Sequence, residues 1–160
     1  MIVVADATPL IALAKIEKLS LLRRLFGTLH IPPAVYTEVV TQAPQRPGAY
    51  EVRGATWIKM TPIQDTSTLR YLRAELDPGE AEALILAEEM SADWVLLDES
   101  KARRIPKTLD LSHVGTVGLL LLAKRRGYIT EVRPLLDELR KKRFHLSDHV
   151  YQSVLREAGE

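Results

Sequence analysis

Acidic residues follow two apolar segments that are typical of buried strands. Asp6 comes directly after Ile2–Ala5, and Asp98 comes directly after the apolar run Trp94–Leu97. In an open parallel sheet, the carboxyl ends of the strands line the crevice in which ligands bind. We therefore expect both carboxylates to face one site at this edge of the sheet.

Three glutamates on predicted helices supply further carboxylates for the same edge. Glu38 lies at the margin of the apolar stripe of its helix. Glu80 and Glu82 lie on a later helix that is apolar nearly all round. Glu80 has capping-box spacing from Asp77, which gives it a structural explanation that Glu82 lacks. Glu82 is narrowly favoured as the third acid of the site, and Glu80 remains open.

A site built only from carboxylates favours a hard cation, Mg²⁺ or Mn²⁺, over zinc. Carboxylates held close together raise one another's pKa and repel unless a cation neutralises them. A bound divalent cation lowers the pKa of a water molecule and stabilises charge on a phosphate. The predicted catalytic residues are therefore Asp6, Glu38, Glu82 and Asp98, and Glu80 is added to the predicted metal ligands. The structural alternative is that these acids are helix caps and solvated surface residues.

Other kinds of catalytic site find little support. The chain has no cysteine, which excludes disulfides, thiolate zinc sites and cysteine nucleophiles. It also lacks a phosphate-binding loop, a Gly-x-Gly-x-x-Gly motif and a Gly-x-Ser-x-Gly motif. His145 and His149 are four residues apart, but a solvated helix face explains that spacing better than a metal pair.

Basic residues cluster immediately after Asp98, although the net charge of the chain is only +1. Lys101, Arg103 and Arg104 are either a solvated helix face or a rim that binds the phosphates of a nucleic acid. Thr8, two residues after Asp6, is placed either to cap a helix or to hydrogen-bond Asp6 or a metal-bound water. These four residues are the predicted substrate-binding residues.

Short strands alternate with helices along the 160 residues, which predicts an α/β fold with a mainly parallel sheet. Strands are expected near residues 1–6, 29–31, 57–61, 93–97 and 109–111, and we expect residues 1–160 to form one domain. The longest apolar stretch, residues 117–123, is too short to span a bilayer. No signal peptide is apparent, and the lack of cysteine fits a reducing compartment, so a cytoplasmic protein without a membrane partner is expected.

Five segments resemble the PIN-domain nucleases, and they are most similar to the branch described as predicted nucleic-acid-binding proteins containing a PIN domain. The segments are residues 3–13, 31–39, 79–87, 95–99 and 114–118. The resemblance implies a three-layer α/β/α sandwich and a Mg²⁺- or Mn²⁺-dependent endoribonuclease acting on single-stranded RNA. It also implies a similarity to the VapC-like toxins, with a small antitoxin protein and a homodimer as possible partners.

The resemblance matches particular acids of this chain to the acids of the family. Asp6 matches the first invariant acid, Glu38 the second and Asp98 the last, while Glu80 and Glu82 compete for the third, which is usually Asp. The Thr-Arg-Asn/Asp pattern that follows the last strand in many of the toxins is replaced here by Leu97–Ser100.

Three functions follow as hypotheses, the first of them favoured. The chain is a metal-dependent ribonuclease, or a weakly active or inactive PIN-fold module that binds RNA or protein, or a phosphatase acting on small molecules. A homodimer is expected because Leu119–Leu122 are apolar at consecutive positions, so that one helix face needs cover from a second subunit or from residues 131–158.

Overall fold

The structure is a computed structural model that describes the backbone of residues 1–160 and every side chain except that of Glu99. Within this part of the chain, five short strands form one parallel sheet with the order β3-β2-β1-β4-β5. The strands are β1 Val3–Ala5, β2 Leu29–Ile31, β3 Ile58–Met60, β4 Trp94–Leu96 and β5 His113–Val114.

Helices connect the strands and cover both faces of the sheet. They are α1 Ala7–Lys15, α2 Ser20–Phe26, α3 Pro33–Tyr36, α4 Ala49–Gly54, α5 Thr66–Leu72, α6 Pro78–Glu89, α7 Glu99–Ala102, α8 Thr116–Arg125, α9 Arg133–Lys141 and α10 Asp148–Ala158. A π-helical segment, Thr37–Thr41, continues directly from α3.

Alternation along the strands divides the apolar residues between two cores. Val3 and Ala5 of β1 pack with residues of α1, α2, α8, α9 and α10 on one face. Val4 points to the other face, where it packs with α6 and with Leu72 and Leu76. Successive side chains of a strand point to opposite faces, which explains this division. The predicted three-layer α/β/α sandwich with a parallel sheet is confirmed.

The central pair of strands brings the two predicted strand-end acids to one edge. Ala5 of β1 is in register with Leu96 of β4, and the Asp6 amide donates to the Leu96 carbonyl at 2.9 Å. Asp98 follows Leu96 by two residues. Asp6 and Asp98 therefore leave neighbouring strands at the same end of the sheet.

The last strand lies later in the chain than the alternation of Leu109 and Leu111 suggested. The strand pairing places His113 beside Val95 and Val114 beside Leu96. Leu109 and Leu111 instead pack against the core between the sheet and α6. Their alternating apolar pattern therefore reflects the packing of a loop against the core and not a strand at the edge of the sheet.

The leucine run of α8 is covered within the chain. Leu119, Leu120 and Leu121 are buried in the core shared with α1 and α10, and Leu122 is partly exposed. The argument that this run needs a second subunit is therefore wrong, because the chain's own helices cover it. Among the described residues, every helix is too short or too polar to cross a lipid bilayer.

Candidate metal and nucleic-acid site

Asp6 is a fully buried acid at the junction between β1 and α1. Its Oδ1 accepts a hydrogen bond from the Ala7 amide at 2.8 Å, so Asp6, and not Thr8, caps the helix. Its Oδ2 lies 3.1 Å from the ammonium of Lys101. Burial raises the pKa of Asp6 above its usual range, even though the charge of Lys101 opposes that shift.

Gly79, in the first turn of α6, brings Asp6 and Glu38 together. A Cβ atom at this glycine would lie 3.2 Å from Asp6 Oδ1 and 3.2 Å from Glu38 Oε2. Both carboxylates therefore approach the positive end of α6, which favours negative charge. Glu38 reaches this point from the π-helical segment, a local irregularity that is frequent at functional sites.

Glu80 is the least satisfied acid of the site. It is fully buried, and neither carboxylate oxygen has a hydrogen-bond partner among the described residues. Burial raises the pKa of Glu80, and the neighbouring Asp77 and Asp6 raise it further against the opposing charge of Lys101. A buried carboxylate without a donor is costly, so this geometry favours a proton or a cation beside Glu80.

Lys101 lies inside the acidic cluster instead of on an outer rim. Its Nζ atom is 3.1 Å from Asp6 Oδ2 and 3.0 Å from Asp77 Oδ2, and its side chain is only 17% exposed. Burial disfavours the charge of Lys101, but the two carboxylates outweigh burial and raise its pKa. The ammonium is therefore an internal counter-ion for part of the cluster.

Glu82 faces a different part of the molecule from Glu80. Its Oε2 accepts a hydrogen bond from the Ala34 amide at 3.0 Å, at the start of α3. Burial raises the pKa of Glu82, while the Ala34 amide and the charge of Arg73 oppose that shift. Glu82 thus has a structural partner, whereas Glu80 has none among the described residues.

Asp98 stands at the mouth of two adjoining cavities. It caps α7 by accepting from the Ser100 amide at 3.2 Å. One cavity, of about 220 Å³, is also lined by Arg103. The other, of about 380 Å³, is also lined by Thr8 and Lys15. Both cavities open beside a predicted catalytic acid and contain predicted substrate-binding residues.

The remaining basic residue of the predicted rim is Arg104, which is exposed to solvent. Its charge opposes the rise that burial causes in the pKa of Glu80, so Arg104 lies within electrostatic reach of the cluster. The pairing of Asp77 with Lys101 was missed by sequence reasoning, which identified Asp77 only as a helix cap. No spacing in the sequence indicates that Lys101 turns inward.

A comparison with protein-family models decides the family of the chain. Residues 2–160 match a family model described as a PIN domain. The chain belongs to the PIN-domain family. PIN domains are generally nucleases and typically use divalent metals, so the position of the acidic cluster in this PIN domain fits the family. Neither the curated proteins nor the solved structures compared with the chain gave a significant match.

The residues of this PIN domain suit a hard divalent cation by their chemistry. Glu80 leaves two buried oxygens without donors, and Asp6 and Glu38 approach the same turn of α6. All of these donors are carboxylate oxygens, the ligands that Mg²⁺ and Mn²⁺ prefer. Among the described side chains, however, no three acids or histidines are already arranged as a metal site. The ammonium of Lys101 lies among them instead.

Proposed function

We propose that this PIN domain, over residues 1–160, is a divalent-metal-dependent endoribonuclease that hydrolyses phosphodiesters of single-stranded RNA. The observation that carries the proposal is the buried carboxylate of Glu80, which lacks a partner among the described residues and adjoins the turn where Asp6 and Glu38 meet. Such an arrangement costs stability unless a proton or a cation neutralises the carboxylate, and the two further carboxylates at the same turn favour the cation.

The proposed site consists of Asp6, Glu38, Glu80 and Asp98, which would hold Mg²⁺ or Mn²⁺. Such an ion supplies a water of lowered pKa and stabilises negative charge on the phosphate. We choose Glu80 over Glu82 as the third acid because Glu82 is engaged with the Ala34 amide. The chain's own contribution is to hold Asp6, Glu38 and Glu80 around the first turn of α6.

Basic and polar residues beside the acids would position the RNA. Arg103 and Thr8 line the two cavities at Asp98, and Arg104 is exposed near the cluster. A guanidinium binds phosphate oxygens in a planar, two-pronged geometry, so Arg103 suits a backbone contact. Lys101 would act differently from the rim role expected of it, as a counter-ion that stabilises the charged form of Asp6.

A binding module with little cleavage is the second candidate. The observation that favours it is that the ammonium of Lys101 already contacts both Asp6 and Asp77. A cation at the cluster would have to coexist with this charge or displace it, which weakens metal binding through like-charge repulsion.

Cleavage of a labelled single-stranded RNA in Mn²⁺, Mg²⁺ or EDTA tests the proposal. We expect cleavage in either metal, and a fall of at least about 100-fold in the Asp6→Asn variant, within the range for losing a group that acts on the reacting atoms. Glu82→Gln is the matched control and should retain cleavage within a few-fold. Cleavage that survives in Asp6→Asn would contradict the assignment, and binding without cleavage in the wild type would support the second candidate.

A toxin role, an antitoxin partner and a homodimer are further proposals that rest on the family resemblance. Co-expression with the product of a short upstream reading frame should suppress toxicity if the chain is a toxin. Light scattering should give twice the monomer mass of 18.0 kDa if the chain is a dimer. A mass of one chain at high micromolar concentration would rule the dimer out.

A further inference from the structure

The smaller cavity beside Asp98 has a lining that differs from the acidic cluster. It measures about 220 Å³ and lies between the start of α8 and the connection from α9 to α10. Val117, Leu146 and Val150 supply apolar walls, and Phe144 supplies an aromatic one. Apolar walls with a few convergent polar groups are typical of sites for small organic ligands.

Thr116 gives this cavity a polar group that the fold does not use. The residue is 3% exposed and lines the cavity, and its hydroxyl has no hydrogen-bond partner among the described residues. Leaving a buried hydroxyl without a partner is unfavourable. Threonine on a helix has two accessible χ1 rotamers, so the hydroxyl is able to turn toward a ligand in the cavity.

The outer wall of the cavity is held in place before any ligand binds. Arg140 donates to the Leu146 carbonyl at 3.0 Å and to Asp148 Oδ1 at 3.0 Å. The same guanidinium lies 4.2 Å from the centre of the Tyr151 ring. Ser147 caps α10 by accepting from the Val150 amide at 3.2 Å. A preformed wall lowers the entropy cost of binding.

The lining suits a nucleobase better than a phosphate group. The carboxylate of Asp98 stands at the cavity and repels a bare anion, whereas a base is neutral. Bases of single-stranded RNA stack on aromatic side chains and form hydrogen bonds along their edges. Phe144 and the hydroxyl of Thr116 supply one contact of each kind, and Arg103 at the same cavity suits the attached phosphate.

We propose that this cavity is a nucleobase subsite, which binds the base of a nucleotide next to the phosphodiester at the acidic cluster. Phe144 packs against the face of the base, and the Thr116 hydroxyl bonds to its edge. The proposal rests on the proposed function only for the identity of the polymer, single-stranded RNA. The subsite adds a contact to the base, whereas the acids and arginines act on the RNA backbone.

Fluorescence anisotropy in EDTA, where no metal-dependent cleavage occurs, tests the subsite. The probes are labelled RNA tetranucleotides and matched tetramers with abasic sugars. We expect Phe144→Ala to weaken binding of the base-bearing probe by about 5-fold or more, the range of base–aromatic contacts. Thr116→Val should weaken it by about 5-fold, the typical effect of one hydrogen bond. Both variants should bind the abasic probe as the wild type does. Thr116→Ser keeps the hydroxyl and should bind as the wild type does. Thr130→Val, at an exposed threonine elsewhere, is the control.

Several results would overturn the subsite. A wild-type protein that binds both probes equally has no base contact, and variants that weaken both probes alike act on the fold or on the backbone contacts. Melting temperatures of the variants separate those two causes. Selective loss of base binding together with absent cleavage in Mn²⁺ would retain the subsite and reject the nuclease. Cleavage in Mn²⁺ by a protein whose variants show no selective loss of base binding would retain the nuclease and reject the subsite.

Discussion

Two carboxylates that bind lysine, Asp6 at the candidate site and Glu160 after α10, respond to their surroundings in opposite ways. Glu160 accepts from Lys124 at 2.8 Å, from the Val132 amide at 2.7 Å and from the Arg133 amide at 3.1 Å. Burial opposes the charge of Glu160, but these donors outweigh it and lower its pKa to about 2. Burial raises the pKa of Asp6 in spite of Lys101.

The difference between these regions lies in how many donors the chain supplies for each negative charge. At Glu160 one carboxylate has an ammonium and two amides. At the candidate site one ammonium is shared by Asp6 and Asp77, and Glu80 has no donor among the described residues. At Glu160 the donors satisfy the carboxylate, and the interaction stabilises the fold. The candidate site has carboxylate oxygens left over, which is the condition for binding an added cation.

Removing the shared ammonium should produce the largest change in stability. In EDTA at pH 7.5, Lys101→Met should lower the free energy of unfolding by about 3 kcal/mol, because it leaves the buried Asp6 carboxylate without a counter-ion. The loss should shrink as the pH falls, starting above the usual range of an aspartate, because burial raises the folded-state pKa of Asp6 and a protonated Asp6 needs no counter-ion. Urea unfolding measures both, with the exposed Lys59→Met as control. If Lys101→Met has the same free energy of unfolding as the wild type, the ion pair contributes nothing to stability.

Gly79→Ala should separate activity from stability at the same site. Alanine favours a helix over glycine by about 0.8–1.0 kcal/mol, so the fold should tolerate the change. The new methyl group would lie 3.2 Å from the oxygens of both Asp6 and Glu38 and must displace them. We expect RNA cleavage to fall by about 10-fold, because the oxygens must move by a few tenths of an ångström, less than the 1 Å misplacement that costs about 100-fold. Gly54→Ala, where a Cβ meets open space, should leave cleavage unchanged.

Glu160→Gln should lower stability modestly, because it removes a carboxylate whose charge is fully matched by donors of the chain. We expect a loss of about 1.5 kcal/mol at pH 7, as is typical for hydrogen bonds to a charged group. The folded pKa of about 2 lies below the usual value of 4.5, so the contribution is full above pH 4.5 and is lost as the pH falls toward 2. Urea unfolding at pH 7 and pH 3 checks this, with Glu157→Gln in an exposed pair as the control. Equal stability of Glu160→Gln and wild type at pH 7 would contradict it.

The positions of the first four strands could be predicted because apolar residues in short runs have few alternatives in a layered fold. The last strand was expected at residues 109–111 and lies instead at His113–Val114. Asp6 and Asp98 were located by the same reasoning, since Asp6 directly follows β1 and Asp98 lies two residues after the end of β4. The sequence favoured Glu82 over Glu80 only narrowly, because α6 is apolar on nearly all sides and periodicity gives no inner face. The direction of a side chain on such a helix depends on tertiary neighbours, here the Ala34 amide and the turn at Gly79.

The inward position of Lys101 was equally hidden from the sequence. It lies on α7, a helix of only four residues, which is too short to show an amphipathic pattern. A lysine beside two arginines then indicates a solvated face by composition alone. The π-helical turn that carries Glu38 also has no sequence signal, so the sequence predicted that Glu38 lies near Asp6 but not the backbone geometry that brings it there.

Thermal unfolding with and without Mn²⁺ tests most directly whether the leftover carboxylates bind a cation. In EDTA at pH 7.5 we expect Glu80→Gln to melt above the wild type. Burial raises the pKa of Glu80 in the folded state, so the ionised carboxylate destabilises the fold at this pH, and the neutral amide removes that cost. Millimolar Mn²⁺ should stabilise the wild type, by about 2.7 kcal/mol at 100 times the Kd, and Glu160→Gln to the same extent. Glu80→Gln should lose most of that stabilisation. A wild type indifferent to Mn²⁺ and Mg²⁺, or a Glu80→Gln variant that responds as the wild type does, would contradict the account.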